Sequence, residues 1–232
     1  MKANPYVGRE PRFYASILYN GAPWKGQTLY TYEGCNDGYA LGGGTTCTGY
    51  YMRKLFDENL PKNGIRATDL TYYYMRYAEV LLIYAEATYE LEGEISDNDL
   101  NNSINRIRKR VGMPDLTNEF VTKYGLDMRE EIRRERTIEL AFEGFRRDDL
   151  RRWKTAETEL IGAIKGIKLK GSEYENLDVL NEGNPGLTDE NGFLIVEPAE
   201  NRNFVTPKHY YYSLPLDELY LNPNLAPNNP GW

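Results

Sequence analysis

The clearest pattern of apolar and polar positions lies between residues 71 and 92. Apolar residues recur there at steps of three and four, which is the spacing of one face of an α-helix. The first stripe comprises Met75, Ala78, Leu82, Ala85 and Tyr89. Two further stripes comprise Tyr77, Leu81 and Tyr84, and Val80, Ala87 and Leu91. A helix that is apolar around most of its circumference is expected to pack on several sides.

A second helix is predicted from about residue 97 to residue 111. Its apolar stripe comprises Leu100, Ile104, Ile107 and Val111. Gly93 is the expected end of the first helix, and Gly112 and Pro114 end the second. Because the connection from Gly93 is short, we expect the two helices to be antiparallel neighbours in an αα-hairpin.

Two more helical segments follow. One starts at Asp127, with Glu130 three residues later as a capping box, and runs to about Phe142. The other spans about 146–155 and turns Leu150 and Trp153 inward, so a second helix pair is expected. The pattern as a whole predicts a mainly α fold.

The remaining segments are predicted to be loops and short strands. Residues 12–19 mix β-forming side chains and end at the turn signal Asn20-Gly21, which predicts a short strand. The segment 24–51 is rich in Gly, Thr and Tyr and should be an exposed loop system. Residues 162–203 have no clear period and are predicted to form a long surface excursion. The tail at 210–219 should be extended and then form one helical turn.

The charge balance argues against nucleic-acid binding. The 232 residues carry a net charge of −7, whereas phosphate affinity needs clustered, unneutralised Lys and Arg. The Arg-rich stretch 129–152 is interleaved with Asp and Glu, which predicts a salt-bridged helical surface.

The longest apolar run, Val80–Ala85, is far shorter than the ~20 residues that span a bilayer. No signal peptide is visible, so we expect either a cytoplasmic protein or an excised piece of a longer secreted one.

The acidic residues of the third helix could be read as a metal site. They lie four residues apart, at Glu131, Glu135, Glu139 and Glu143. A di-iron bundle needs Glu-x-x-His motifs, and the single histidine, His209, lies in a predicted loop. We therefore expect a structural stripe and no metal or cofactor. The neutralising partners would be Arg133, Arg134, Arg136 and the arginines of 146–152.

In the first helix, Arg76 and Glu79 are also spaced to pair.

Signs of catalysis are sparse. With one histidine, most Ser-His and Cys-His mechanisms are excluded. A carboxylate pair for glycoside hydrolysis stays open, with Asp37, Asp57 and Glu58 as conceivable members. Cys35 and Cys47 are too few for a zinc site, and they either close a small disulfide loop or stay free.

Aromatic residues are the better candidates for a binding site. The chain contains 20 tyrosines. Tyrosine offers a flat apolar face and a hydroxyl, which match the C–H face and hydroxyl rim of a sugar ring. Aromatic residues without a helical period occur in the loops between residues 20 and 51, and we take four of them as ligand-binding candidates: Trp24, Tyr30, Tyr32 and Tyr39. The alternative is that these side chains clamp the loops onto the helices.

Four ordered segments together resemble the SusD/RagB family of outer-membrane proteins. The segment 74–87, Tyr-Met-Arg-Tyr-Ala-Glu-Val-Leu-Leu-Ile-Tyr-Ala-Glu-Ala, is similar to the family's signature helix. The segments 104–114 and 135–153 resemble the blocks that follow it, and the ending from Leu214 to Trp232 resembles the family's C-terminus. Residues 9–14 also look like the family's mid-chain Arg-Asp-Pro-Arg-Phe. The likeness covers nearly the whole chain in the right order.

The resemblance implies a tetratricopeptide-like scaffold of helical hairpins with long irregular loops and a few short strands. It implies one C-terminal domain over 1–232, with a ligand-facing part at 1–66, hairpins at 70–156, and a loop excursion and tail at 157–232. It further implies a non-enzymatic, lipid-anchored protein at the outer-membrane surface, which captures a glycan or other nutrient for a SusC-like TonB-dependent transporter. The family's signal peptide, lipidated cysteine and N-terminal half of the scaffold are not found in this sequence.

Two other classes of function stay open. One is a helical scaffold that only docks another protein, without affinity for a small ligand. The other is a glycoside hydrolase that uses acidic residues of the loops.

Overall fold

A computed structural model describes residues 4–32, 35, 37–38, 45–60, 73–173, 175 and 188–232. The fold is mainly helical with a few short strands, which confirms the predicted fold class. The chain forms two compact units. We call them the helical unit, residues 4–38 and 49–144, and the tail unit, which includes residues 45–48 and 145–232. Within the described ranges, every helix is too short or too polar to cross a membrane.

The helical unit contains six α-helices and four two-residue strands in the described residues. The helices are α1 Pro11–Ser16, α2 Tyr77–Glu92, α3 Asp97–Asn102, α4 Ile104–Arg110, α5 Asn118–Tyr124 and α6 Met128–Glu139. The strands are β1 Ile17–Leu18, β2 Pro23–Trp24, β3 Gln27–Thr28 and β4 Tyr51–Met52. Strand β1 pairs antiparallel with β4, and β2 pairs antiparallel with β3.

Helix α2 is the central helix of this unit. It packs against α3, α4 and α6 and buries Leu81, Leu82 and Ala85. The helix ends as predicted at Gly93, whose φ of 77° is favourable for glycine and whose N–H donates to the carbonyl of Tyr89. It begins at Tyr77 rather than at residue 71, because the residue before it, Arg76, is extended.

The predicted helix 97–111 is interrupted. Ser103 leaves the helical region, with φ −126° and ψ −99°, and separates α3 from α4. The buried hydroxyl of Ser103 donates to the carbonyl of Asp99, four residues earlier. Serine side chains that bond the preceding turn in this way bend or break helices. Both pieces still pack against α2, as the hairpin prediction requires.

Three local predictions are corrected or refined. The strand predicted at 12–19 is mostly α1, because Pro11 stands in the first turn, and only Ile17–Leu18 is extended. Helix α6 starts at the predicted cap, where the Asp127 carboxylate accepts from the N–H of Glu130 at 3.0 Å. It ends before Phe142, whose φ of 66° is incompatible with a helix.

The tail unit also differs from its prediction. The stretch 162–203 is not a bare excursion, because it contains the antiparallel strands β5 Ile164–Lys168 and β6 Phe193–Glu197. The helices of this unit are α7 Arg146–Arg152, α8 Ala156–Glu159 and α9 Leu216–Leu221. Short 3₁₀ turns occupy Ala199–Asn201, Lys208–Tyr210 and Pro223–Leu225. The helices predicted as a second pair, α6 and α7, belong to different units.

Of the two residues predicted to point inward from α7, Leu150 is buried and packs against Ala156 and Tyr210. Trp153 is only half-buried, and the guanidinium groups of Arg146 and Arg152 face its ring. Cation–π contact therefore replaces full burial at this position.

The carboxylate of Glu139 is the centre of a buried ion-pair network. Its side chain is 2 % exposed. It accepts hydrogen bonds from Arg12 at 3.1 Å, from Arg76 at 2.7 Å and from Arg110 at 2.7 and 2.8 Å. These arginines come from α1, from the residue before α2, and from the end of α4. One carboxylate of α6 therefore holds three segments that lie far apart in the sequence.

The neighbouring turns of the acidic stripe extend the network. Glu135 accepts from Arg108 at 3.0 Å and lies 2.7 Å from Arg12. Glu143 holds Arg76 through two hydrogen bonds of 2.6 and 2.8 Å and also pairs with Lys54. The prediction of a structural, salt-bridged stripe is confirmed. Of the predicted partners, Arg134 forms the expected bridge, to Glu131, whereas Arg12, Arg76 and Arg108 pair with the stripe although they were not predicted to do so.

Arg76 also departs from its predicted pairing with Glu79. Its side chain turns towards α6, where Glu139 and Glu143 bind all of its polar atoms. The i,i+3 spacing predicted a local pair worth a few tenths of a kcal/mol. The bidentate contact of Arg76 with a partly buried carboxylate is stronger than such a local pair, and it decides the orientation of the Arg76 side chain.

Burial and pairing act on the acidity of these groups in opposite directions. Burial on its own would raise the pKa of Glu139 and of Glu143. The positive charges and hydrogen bonds of Arg76, with Arg110 and Arg12 at Glu139 and Lys54 at Glu143, outweigh it and lower both pKa values. A lowered pKa in the folded state stabilises the fold above the unfolded value of about 4.3.

This network predicts a specific loss of stability in acid. As the pH falls below about 4.3 and through the folded pKa values, the free energy of unfolding should decrease progressively. Glu139→Gln should make the free energy of unfolding less dependent on pH. It should also lower that free energy by about 3–5 kcal/mol at pH 7, because the arginines around Glu139 lose a charged partner. Urea denaturation between pH 7 and pH 3 measures both effects.

Glu130→Gln is the control. Its side chain is 59 % exposed and, within the described residues, pairs with Arg133 on the same helix, so the free energy of unfolding should change by less than about 1 kcal/mol. Equal losses in the two variants, or an unchanged acid sensitivity in Glu139→Gln, would contradict the role given to Glu139.

Candidate functional site

A short β-hairpin carries the first of the predicted aromatic residues. Strands β2 and β3 pair with Trp24 opposite Gln27. The two residues between them, Lys25 and Gly26, both have positive φ values of 49° and 73°. This is the two-residue turn whose twist matches that of paired strands. The turn is anchored further by Lys25, whose ammonium group donates to the carbonyl of Leu60.

One face of this hairpin is held by a small apolar cluster. Leu18, Ala22 and Leu29 are buried in it. Tyr19, Trp24 and Tyr51 pack against the cluster and are partly buried. Trp24 therefore contributes to packing, while the ammonium of Lys25 lies 5.9 Å from the centroid of its ring.

Tyr30 and Tyr32 follow the hairpin. Burial alternates along this stretch, because Leu29 and Thr31 are buried, whereas Tyr30 is 51 % exposed and Tyr32 is half-buried. The two tyrosines are therefore the more exposed residues of the stretch, and their rings adjoin. Their ring centroids are 6.0 Å apart with the planes at 62°.

A buried asparagine fixes this stretch of chain. The side-chain oxygen of Asn20 accepts from the N–H of Thr31 at 2.9 Å, and both residues are buried. The bond crosses the base of the hairpin and holds the backbone between Tyr30 and Tyr32. The two rings are therefore presented by a fixed backbone, which lowers the entropic cost of binding a ligand.

Beneath the hairpin lies a group of stacked aromatic rings. The ring of Tyr19 lies 4.6 Å from that of Tyr6 and 5.3 Å from that of Phe13. Tyr50 meets Tyr6 edge to face at 6.1 Å. These tyrosines pack against their neighbours. Among the four candidate aromatic residues, Trp24 packs against the apolar cluster as the alternative interpretation requires, whereas Tyr30 is half-exposed and departs from that alternative.

The structure thus brings two of the four predicted binding residues together. Tyr30 and Tyr32 adjoin, and Trp24 lies on the preceding hairpin in its apolar cluster. Tyr39 lies outside the described residues. Gln27, exposed opposite Trp24, is a polar neighbour that the sequence analysis did not select. The sequence signal that could have indicated Gln27 is its position directly after the turn residues Lys25 and Gly26.

The acidic residues considered for hydrolysis make local contacts. Asp57 accepts from the backbone N–H and side-chain amide of Asn59, which is a turn contact. Glu58 forms an ion pair with Arg53. The backbone carbonyl of Asp37 accepts from the hydroxyl of Tyr51. The histidine, His209, accepts a hydrogen bond from the N–H of Val205 at its Nδ1.

Neither metal binding nor disulfide formation is visible where the chain is described. Across those residues, no three His, Cys, Asp or Glu side chains are grouped so that they could hold a metal ion. Cys35 and Cys47 are both free thiols. A hydrogen bond to Cys35 raises the pKa of Tyr32 above its ordinary value.

A concave region lies beside the ion-pair network. It has a volume of about 420 Å³ and is lined by Arg12, Lys54, Arg76, Arg110 and Glu139 among others. Its charged groups already pair with one another. We therefore assign this region to the stability of the fold and take the Tyr30–Tyr32 surface as the candidate binding site.

This surface can hold a ligand with an apolar face and a polar rim. An exposed aromatic ring supplies contact area at low entropic cost, and the hydroxyls supply hydrogen bonds. A sugar ring has this combination of surfaces. The tilt of 62° between the rings lets one ring meet the face of a flat ligand while the other meets its edge.

Comparison with known proteins identifies relatives over nearly the whole chain. A model of the SusD family matches residues 2–232. The SusD-like protein P2 of Formosa agariphila is 33% identical over 177 residues, which cover 75% of this chain and 28% of that protein.

Two solved structures from Bacteroides fragilis are similar. A SusD-like carbohydrate-binding protein has a TM-score of 0.77 and 32% identity, covering 97% of this chain and 43% of that one. A SusD-like protein has a TM-score of 0.69 and 29% identity, covering 98% of this chain and 40% of that one. This chain spans less than half the length of each of these relatives.

The role of Asn20 can be tested by Asn20→Ala. The change leaves the buried N–H of Thr31 without an acceptor, so the free energy of unfolding should fall by about 1–3 kcal/mol. Urea denaturation measures the change. Asn98→Ala, at an exposed position of α3, is the control. Its free energy of unfolding should differ from that of the unchanged protein by no more than about 0.5 kcal/mol. If both variants are equally stable, the account of how Tyr30 and Tyr32 are held is wrong.

Proposed function

The chain belongs to the SusD family, and on that premise we propose that it captures an oligosaccharide or a related nutrient at the outer-membrane surface. The ligand would rest on Tyr30 and Tyr32, with Trp24 contributing from the preceding hairpin. The observation that carries this proposal is the half-exposed ring of Tyr30 beside Tyr32 on a stretch fixed by Asn20. The similar solved protein that is described as carbohydrate-binding supports the class of ligand.

We propose binding without turnover. Of the acids that the sequence left conceivable for hydrolysis, Asp57 accepts hydrogen bonds within a turn and Glu58 forms an ion pair with Arg53. The buried acids of α6 are paired with arginines. A general acid needs a carboxyl group with a raised pKa, whereas Glu139 and Glu143 have lowered ones.

The proposed setting follows from the family. A lipid anchor on the complete protein would hold it at the cell surface, and a SusC-like TonB-dependent transporter would receive the ligand. The transporter interaction is testable separately from glycan binding, by co-purification of the chain with that transporter from detergent-solubilised outer membranes.

Glycan binding is best tested by isothermal titration of this chain against a library of oligosaccharides. We expect at least one ligand to bind, and Tyr30→Ala to weaken that binding by about tenfold or more, because exposed aromatic anchors carry much of the energy in such sites. Tyr220→Ala is the matched control. Tyr220, on α9 in the tail unit, is an exposed tyrosine, at 81 % against 51 % for Tyr30, and its removal should leave the affinity for the glycan unchanged.

The other results distinguish the alternatives. Absence of binding to every glycan, together with co-purification of a transporter, would favour a docking scaffold. Release of reducing sugar, abolished by one acid-to-amide change, would establish a hydrolase. Equal losses in Tyr30→Ala and Tyr220→Ala would place the binding site elsewhere.

A further inference from the structure

Two arginines of the tail unit lie over the same exposed aromatic ring. Arg147 and Arg151 are four residues apart on α7, so they lie on one side of that helix. Their guanidinium carbons lie 5.5 and 4.0 Å from the centroid of the Tyr212 ring. Cations within about 6 Å of a ring centroid are attracted to its face. The ring therefore gathers two positive charges at one place.

The same arrangement continues around the neighbouring residues. The ammonium group of Lys154 lies 4.1 Å from the ring centroid of Tyr210 and 5.3 Å from that of Tyr211. The ammonium group of Lys208 lies 4.4 Å from the ring centroid of Trp232, and the indole N–H of Trp232 donates to the carbonyl of Tyr211 at 3.3 Å. We call these four cations the cationic patch: Arg147, Arg151, Lys154 and Lys208.

The cationic patch is not neutralised by acidic residues. In the part of the chain that the structure describes, none of its four cations forms an ion pair, even with Asp148 on the same helix. Arg151 donates to the backbone carbonyl of Tyr210 at 2.7 Å. The side-chain nitrogens of the other three cations have no hydrogen-bond acceptor among those residues. Their N–H donors are therefore available to a ligand.

Neighbouring cations on the same helix are paired. Arg146 lies 3.4 Å from Glu159, and Arg152 lies 2.8 Å from Asp149. The chain as a whole carries a net charge of −7. A group of unpaired cations is therefore a local reversal of the charge of the molecule, and such a region concentrates anions at the surface.

The rings of the patch add apolar surface to the charge. Tyr211, Tyr212 and Trp232 are between 42 % and 59 % exposed. Exposed parts of such rings can contact the C–H face of a sugar. Arginine and lysine bind oxyanions such as carboxylates. A sugar that carries an acidic group offers both kinds of contact in one molecule.

We propose that the cationic patch binds the carboxylate or sulfate groups of an acidic oligosaccharide. The planar fork of an arginine matches the oxygens of such a group. Contact with the rings restricts the cations before the ligand arrives, which lowers the entropic cost of binding. The choice of a saccharide rests on the proposed function, whereas the choice of an anion rests on the charges of the patch.

Isothermal titration of this chain with two acidic oligosaccharides tests the proposal. Oligogalacturonate supplies carboxylates, a sulfated dextran oligosaccharide supplies sulfates, and neutral dextran of equal length is the reference. We expect at least one acidic saccharide to bind, and neutral dextran to bind at least about tenfold more weakly. Raising the NaCl concentration from about 0.05 M to about 0.5 M should weaken the acidic ligand's binding, because salt screens exposed charges.

Arg147→Gln combined with Lys154→Gln should weaken binding of the acidic saccharide by at least about tenfold. Arg106→Gln combined with Lys123→Gln is the matched control. It removes the same charge from the helical unit, where both cations also face a tyrosine ring. The affinity of the control should stay within about twofold of the unchanged chain. If the first double variant changes the circular dichroism spectrum, Arg147→Gln combined with Lys208→Gln takes its place.

Four results would overturn the proposal. They are binding of neither acidic saccharide, equal losses in the patch variant and its control, binding of neutral dextran as tight as that of the acidic ligands, and patch-dependent binding of single-stranded DNA in place of both saccharides. The last result would assign the patch to nucleic acid.

The same titrations in Tyr30→Ala separate this proposal from the proposed function, because the two surfaces share no residue. Acidic-saccharide binding that Tyr30→Ala abolishes and the patch variant leaves unchanged would refute the patch alone. Patch-dependent binding that persists in Tyr30→Ala, with no glycan bound through Tyr30, would refute the Tyr30–Tyr32 site alone.

Discussion

The buried carboxylate of Glu139 is the constraint on which the helical unit depends. Moving one charge out of water costs several kcal/mol, and the cost is recovered only if every partner is in place. Arg12, Arg76 and Arg110 supply those partners from three separate segments. A chain that misplaced any of the three would leave this buried charge less well compensated. The network therefore favours one arrangement of α1, α2, α4 and α6 over its alternatives, even where it adds little to net stability.

The same network positions the candidate binding site. Arg12 ties α1 to α6, and α1 continues directly into β1 and then into the hairpin that precedes Tyr30. The carbonyl of Ser16, at the end of α1, also accepts from the N–H groups of Arg53 and Lys54. The loops are thereby attached to the rigid part of the unit. Binding residues on loops gain precision from a scaffold of this kind.

Sequence patterns predicted features that depend on neighbours in the chain. The end of α2 at Gly93, the cap at Asp127 and the acidic stripe of α6 are all local, and all are observed. The partners of the stripe were missed because Arg12 lies 127 residues from Glu139, beyond what spacing can reveal. The pairing of the strands within 162–203 is interrupted by register shifts, so these strands lack a clean alternation of apolar and polar residues. Tyr30 and Tyr32 were selected from composition, whereas their fixation by Asn20 required the structure.

The most direct test of this account is a double-mutant cycle on Arg12→Met and Arg76→Met. The two arginines bind different oxygens of the same carboxylate, so their effects on the free energy of unfolding should be coupled by about 1–3 kcal/mol. Arg12→Met with Arg129→Met is the reference cycle, since Arg129 pairs with Glu90 at the surface, and it should be additive. Additivity of Arg12 and Arg76 within about 0.5 kcal/mol would contradict the central role of Glu139.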